Sequence, residues 1–137
     1  MKAYEFLDHT ADVKFQAYGA TLEEVFSNAA LALTRLMYPD NVKVNDSLEM
    51  HIAGRDLESL LYNFLEEFLV LFDSRNFLLA GIEKIKIDRQ EFKLVAEAVG
   101  DRAVDYEIHR GIKAVTYSDM FVRQDQDAWI AQVVLDV

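Results

Sequence analysis

Apolar side chains recur along this chain with two different periods. Leu22, Val25, Phe26, Ala29, Ala30, Leu33, Leu36 and Met37 follow the three-and-four spacing that lines one face of a helix. Thr21 stands just before this stripe and Glu24 three residues on, in the order of a capping box. Pro39 ends the segment, because the residue before a proline is pushed out of helical geometry. The spacing repeats at Leu57, Leu60, Leu61, Phe64, Leu65, Phe68, Leu69 and Phe72, behind Asp56 as a cap and ending near Asp73-Ser74. Large apolar residues at helical spacing belong in a core, and no other role is assigned to them.

Elsewhere the period is two. Val13, Phe15 and Ala17 alternate with Lys14, Gln16 and Tyr18; Leu48, Met50 and Ile52 alternate with Glu49 and His51. Ile85 and Ile87, then Phe92, Leu94, Ala96 and Ala98, flank Asp88-Arg89-Gln90-Glu91 as a hairpin would. A strand through Val115 and Tyr117 leads to the polar turn Gln124-Asp125-Gln126-Asp127, and Trp129, Ala131, Val133 and Leu135 alternate to the last residues. The order ββ-α-β-α-ββ-ββ predicts an α+β protein: a two-layer sandwich of mixed or antiparallel β-sheet with two amphipathic helices packed on it. Helices and strands do not alternate regularly enough for a doubly wound sheet. The 137 residues suit one domain spanning 1–137.

Composition narrows the function. Asp and Glu total 24 against 14 Lys and Arg, a formal charge of −10. No segment is basic, so the phosphate-gripping stripe of a nucleic-acid binder is missing, and direct nucleic-acid binding is not expected. An acidic surface suits cations or a basic protein partner. With no cysteine, disulfides, thiolate catalysis and cysteine zinc sites are excluded. Apolar runs such as Phe68–Phe72 are far too short to span a membrane, and Met1-Lys2-Ala3-Tyr4-Glu5 does not open a signal peptide. The expectation is a soluble, cytoplasmic monomer with no membrane association.

Two acidic places could carry chemistry. Asp8-His9-Thr10-Ala11-Asp12 gathers carboxylates, an imidazole and a hydroxyl between two strand-like runs. Hard cations take such oxygen donors, but a polar turn uses the same residues to bond its own backbone. At the other end, the α-carboxylate of Val137 adjoins the Asp136 side chain, and two carboxylates so close repel unless a cation or base lies between them; a frayed, solvated end is the alternative. Asp125-Gln126-Asp127 resembles the start of a calcium loop, but Ile130 occupies the position that demands glycine. His51 shares a polar strand face with Glu49, and His109 sits in a loop before a strand. No nucleotide loop, nucleophile elbow or HExxH is present.

Three phrases taken in order resemble the archease family: Asp8-His9-Thr10-Ala11-Asp12, Lys113-Ala114-Val115-Thr116-Tyr117, and the closing Ala131-Gln132-Val133-Val134-Leu135-Asp136-Val137. The likeness spans essentially the whole chain. Ser118 departs from it, standing where many members carry histidine after the Thr-Tyr pair. The resemblance implies a non-catalytic, cytosolic activator of an RtcB-type RNA ligase, the manganese-using enzyme of tRNA splicing and RNA repair that carries a guanylylated histidine. It implies that the chain promotes ligase guanylylation and multiple turnover and relaxes the ligase's nucleotide preference. It further implies a divalent-cation site of Asp12, Asp136 and the Val137 carboxylate, with Asp8 and His9 beside it; the oxygen ligands admit Ca²⁺, Mn²⁺ or Mg²⁺ alike. Two other readings stand beside this one: a small metal-dependent hydrolase using Asp8, His9, Asp12 and Asp136, and a general chaperone, which would need a sizeable exposed apolar patch.

Overall fold

Thr21 and Asp56 start the two helices. Thr21 accepts a hydrogen bond from the Glu24 N–H at 3.1 Å and opens α1 (Leu22–Met37). The reciprocal capping box forms at Asp56, whose carboxylate accepts from Ser59 N–H at 2.7 Å while Ser59 Oγ accepts from Asp56 N–H at 3.1 Å. It opens α2 (Leu57–Arg75), which closes on the left-handed Asn76 at φ 53°. An asparagine tolerates that conformation as few residues do, and its Oδ1 accepts from Val104 N–H, tying the helix end to the chain beyond the next hairpin.

The computed structural model of the chain describes residues 1–7 and 12–137. Its strands are β1 (Tyr4–Leu7), β2 (Val13–Gly19), β3 (Asp46–Ala53), β4 (Phe77–Asp88), β5 (Lys93–Arg102), β6 (Ala114–Asp125) and β7 (Ala128–Asp136). The α+β class and the element order are those the sequence predicts. The strands, however, divide into two sheets, ordered β1-β2-β7-β6 and β3-β5-β4. Every pairing among the described residues is antiparallel. α1 packs on β2 and β7 of the first sheet and β4 of the second; α2 packs on β6 of the first and on β3 and β4 of the second. Each helix therefore joins both sheets. This is why α1 buries more than a single stripe, Ala32 and Thr34 included.

One large core results, beside a small second cluster of Val42, Leu78 and Ala103. Phe15, Ala17, Ala131, Val133 and Leu135 from the first sheet meet Phe26 and Leu33 of α1, Phe64 and Leu65 of α2, and Leu94, Ala96 and Ala98 of the second sheet. The rings of Phe26 and Phe64 lie 5.9 Å apart where the helices touch. Among the described residues, no helix covers the outer face of either sheet.

The turns follow their residues. Asp88 Oδ1 accepts from the N–H groups of Gln90 and Glu91, and Phe92, at φ 53°, belongs to this turn rather than to β5. Gln126 at φ 57° turns the β6–β7 hairpin, so Asp125-Gln126-Asp127 is a strand connection. The irregular stretch before β6 is tied down by Tyr106. Its hydroxyl donates to the buried Asp101 at 2.7 Å and accepts from Lys43 N–H at 2.9 Å. That bond is the largest influence holding the Asp101 carboxyl below its usual range.

At Gly100 the β4–β5 pair comes so close that a Cβ would collide with the Leu78 carbonyl oxygen and crowd the Phe77 ring at 2.9 Å. Gly81, in the same pair, has open space where its Cβ would be. Gly100→Ala should lower unfolding stability by about 1–3 kcal/mol, the usual cost of overpacking a rigid site. Gly81→Ala should change it by less than about 1 kcal/mol, through the unfolded chain. Urea denaturation of the two variants checks the contrast.

Candidate functional site

The second strand and the last strand are neighbours. β2 and β7 pair in register from Gly19↔Trp129 to Val13↔Leu135. Asp12 and Asp136 are the next residue on each chain at the same end of that ladder. β6 closes on the other side, with Ala114 opposite Asp136 and Lys113 N–H donating to the Asp136 carbonyl at 2.8 Å. Asp136 is exposed and Asp12 half-buried. Val137 is partly buried and packs against the core, so the last residue is anchored.

Side-chain alternation sets the face. Phe15 and Leu135 point into the core, so Lys14 and Val134 lie on the outer face of the sheet. Two residues along, Asp12 and Asp136 fall on that same outer side. Residues 8–11 are outside the described part of the chain, so Asp8 and His9 are not placed. Among the described residues no three His, Cys, Asp or Glu side chains gather as a metal site. The described part of the candidate site offers two side-chain carboxylates, with the Val137 α-carboxylate adjoining them. Such an all-oxygen donor set suits a hard divalent cation.

A polar network covers the outer face behind these acids. Gln16 Nε2 donates to Gln132 Oε1 at 2.9 Å across β2 and β7. Tyr18 OH lies 2.8 Å from both Glu5 Oε2 and Gln16 Oε1 and shares its one proton between them. Lys2 donates to the same carboxylate at 2.9 Å; with the Tyr18 bond, it holds Glu5 below its ordinary range.

The sequence does not announce the next feature. Between Thr116↔Val134 and Phe121↔Gln132 the β6 register shifts. Four residues, 117 to 120, stand opposite Val133 alone, with Asp119 at φ 53°. Asp119 reaches over β7 to the far strand, accepting from Lys14 Nζ at 3.1 Å, while its carbonyl accepts from Gln132 Nε2 at 2.8 Å. The bulge thus folds over β7 and accounts for the burial of Val134 on an otherwise solvated face. Tyr117 leaves the bulge in the other direction and stacks on Tyr62 of α2, rings 4.2 Å apart and 7° from parallel. Ser118 lies exposed in the bulge. Lys14 and Asp119 were not legible as partners: they are 105 residues apart, and only the tolerance of Asp for positive φ marks the bulge. The other histidines lie away from the paired strand ends. His51 is exposed on β3, 3.3 Å from Glu49, and His109 N–H donates to the Met37 carbonyl.

An antiparallel α+β fold with helices clasped between two sheets, and acids at the shared end of β2 and β7, defines the architecture; among the described residues no helix is long and apolar enough to cross a bilayer. The Archease protein family matches residues 4–137, and the chain belongs to that family. It is 42% identical to protein archease of Methanosarcina barkeri, covering 99% of this chain and 97% of the relative. It is 41% identical to that of Pyrococcus abyssi, over the whole of both. The solution structure of Methanobacterium thermoautotrophicum protein 1598 superposes with a TM-score of 0.83 at 36% identity, covering all of both chains. The crystal structure of a Thermotoga maritima archease, described as a possible chaperone, shares the fold at a TM-score of 0.66 and 20% identity, covering 96% of this chain and 94% of that one.

Burial first, and then the Glu5 hydrogen bond, push the Tyr18 hydroxyl up to about 12. The raised value means the neutral phenol is favoured in the folded state. Its contribution to stability is full below the ordinary tyrosine value near ~10 and is lost as pH rises toward the folded value. NMR titration of labelled tyrosines should find Tyr18 ionising near the top of the range. Glu5→Gln should lower its titration point without returning it fully to the ordinary value, since burial persists.

Proposed function

We propose that this chain is a non-catalytic protein cofactor of an RtcB-type RNA ligase in tRNA splicing and RNA repair, working in the cytoplasm. In this reading it promotes ligase guanylylation and multiple turnover through a divalent-cation site made of Asp12, Asp136 and the Val137 α-carboxylate. The observation that carries the reading is the β2–β7 register, which leaves Asp12 and Asp136 each as the next residue on its strand at one end of the ladder. Membership of the archease family supports it. So does the chemistry of the chain, which has neither a cysteine nucleophile nor a phosphate-binding loop and carries a charge of −10. A cation held there supplies positive charge and Lewis acidity among surface carboxylates. Ca²⁺, Mn²⁺ and Mg²⁺ all meet the donor chemistry. The residues themselves present the acids, anchor the terminus through Val137 and keep Lys14 engaged by Asp119.

The hydrolase reading has less support, since it also requires Asp8 and His9 as ligand and base. The chaperone reading requires a contiguous apolar patch. Among the described residues the exposed large apolar side chains, Met1, Phe6, Val44, Val70, Val95, Val104 and Tyr117, are scattered along the chain.

A ligation assay under single- and multiple-turnover conditions, with purified partner ligase, tests the proposal. The wild-type chain should raise multiple turnover, while Asp12→Asn and Asp136→Asn should abolish the increase and leave circular dichroism unchanged. A one-residue extension after Val137 replaces the terminal charge with a neutral carbonyl. It should lower Mn²⁺ or Ca²⁺ affinity in calorimetric titration, whereas an N-terminal tag should not. Folded, cation-free variants that still activate fully would overturn the role of the site. Turnover of phosphoesters by the chain alone would favour the hydrolase.

A further inference from the structure

The candidate site has a cation of the protein's own beside it. Lys14 stands on β2, two residues from Asp12, and pairs with Val134 of β7, two residues from Asp136. Side chains two apart on one strand share a face at a spacing of roughly 7 Å. Diagonal neighbours across an antiparallel pair lie about 7–8 Å apart, within reach of a long side chain. By a change of rotamer Lys14 can therefore reach the acid on its own strand or the one on the next.

The fold directs it elsewhere. The Lys14 ammonium crosses β7 and donates to Asp119 Oδ2 at 3.1 Å. A lysine at liberty extends its head into water, yet the Lys14 side chain is only 18% exposed, against 59% for Asp119. Its stem lies beside the fully buried Val134. Asp119 is itself held in place. It stands at φ 53° in the β6 bulge, and its carbonyl accepts from Gln132 Nε2 at 2.8 Å. Gln132 Oε1 in turn accepts from Gln16 Nε2 at 2.9 Å. The carboxylate is thus presented to Lys14 by a line of bonds that runs back to β2, the strand carrying the lysine. The bulge gives up regular pairing between Thr116 and Phe121, and in exchange one acid is brought over β7.

An ammonium group and a divalent cation compete for the same carboxylates. A site whose ligand is occupied by an internal lysine is closed, and the apparent dissociation constant rises as the open fraction falls. We propose that Asp119 is a positioning residue that ties Lys14 down across β7 and so keeps the carboxylates of Asp12 and Asp136 open to a divalent cation. This role rests on the divalent-cation reading of those two acids. Lys14 is then a built-in counter-ion, and its choice of partner decides whether the site is open.

Calorimetric titration with Mn²⁺ on the full chain tests this in a double-mutant cycle of Asp119→Asn and Lys14→Gln. Asn tolerates positive φ as Asp does, so the bulge keeps its backbone. Asp119→Asn should raise the Mn²⁺ dissociation constant about fivefold, the order of one exposed ion pair. Lys14→Gln should lower it. With Gln at position 14, Asp119→Asn should raise it by less than about twofold, since no ammonium remains to be released. A second readout needs no cation: Asp119→Asn should move the side-chain carboxyl ¹³C signal of Asp12 or Asp136, and the same substitution in the Lys14→Gln protein should not.

Loss of a distant negative charge would weaken binding equally with and without Lys14. Equal effects in the two backgrounds would therefore overturn the proposal, as would an unchanged dissociation constant in Asp119→Asn. A larger effect without Lys14 would make Asp119 a ligand and overturn it too. Asp12→Asn is the control for the site itself. If it removes Mn²⁺ binding while the cycle is additive, the cation site stands and the role of Asp119 falls. If the wild type and Asp12→Asn bind Mn²⁺ alike, or neither binds it, the cation site falls and the role of Asp119 with it.

Discussion

The register of β2 against β7 is the constraint on which the rest of this molecule depends. Side chains alternate faces along a strand, so a one-residue slip would carry either Phe15 and Ala17 of β2 out of the core and Lys14 and Gln16 into it, or Val133 and Leu135 of β7 out and Gln132 in. Either slip exchanges fully buried apolar residues for polar ones, which leaves no competing alignment. Both strands are internal to their sheet, which removes the freedom an edge strand would have. The same register determines that Asp12 and Asp136 end the ladder together. The acids need no dedicated scaffold, because core packing already places the strand ends that carry them.

The helices transmit that order to the second sheet. α1 and α2 each touch both sheets, so the two layers share a core instead of each covering its own. Burial on several sides explains why small residues such as Ala29, Ala30 and Ala32 occur in α1: they let strands approach the helix from more than one direction. The cost is a set of uncovered outer faces. On the first sheet these are dressed with hydrogen-bonded side chains and with the β6 bulge. On the second, the open β3 edge stays regular.

Much of this was legible because the periodic signals were strong. Capping residues and apolar stripes marked both helices within a few positions, and alternation marked the strands. The division into two sheets was not legible, since alternation tells which face of a strand is buried but not which strand lies beside it. The β6 bulge was missed for a related reason. Thr116, Tyr117 and Phe121 are all good strand formers, and nothing local shows that three extra residues must loop over β7 to meet Lys14. Alternation places Phe92 in a strand because it is apolar, yet the Asp88 turn needs a fourth residue and takes it. Of the candidate site, Asp12 and Asp136 stand in the sequence as separate polar ends. Only strand pairing brings those ends to one side of the ladder, a juxtaposition that no local pattern shows.

Placing two carboxylates at one strand end sets a small repulsion against a large core. Directly opposed like charges cost a strand pair on the order of 0.2–1 kcal/mol, while each of the fully buried phenylalanines and leucines beneath contributes on the order of 1.5–3 kcal/mol. The acids can therefore be held together without threatening the fold, and folding does not require a cation to relieve them. The proposed site is thereby freed from a structural duty. Occupancy would change the charge and the hydrogen-bonding demand of one exposed corner, adding stability only through mass action, while β2, β7 and the helices beneath remain as they are. A surface whose charge changes on a rigid support is well suited to being read by a partner protein, because the partner meets the same shape in either state and discriminates by electrostatics alone.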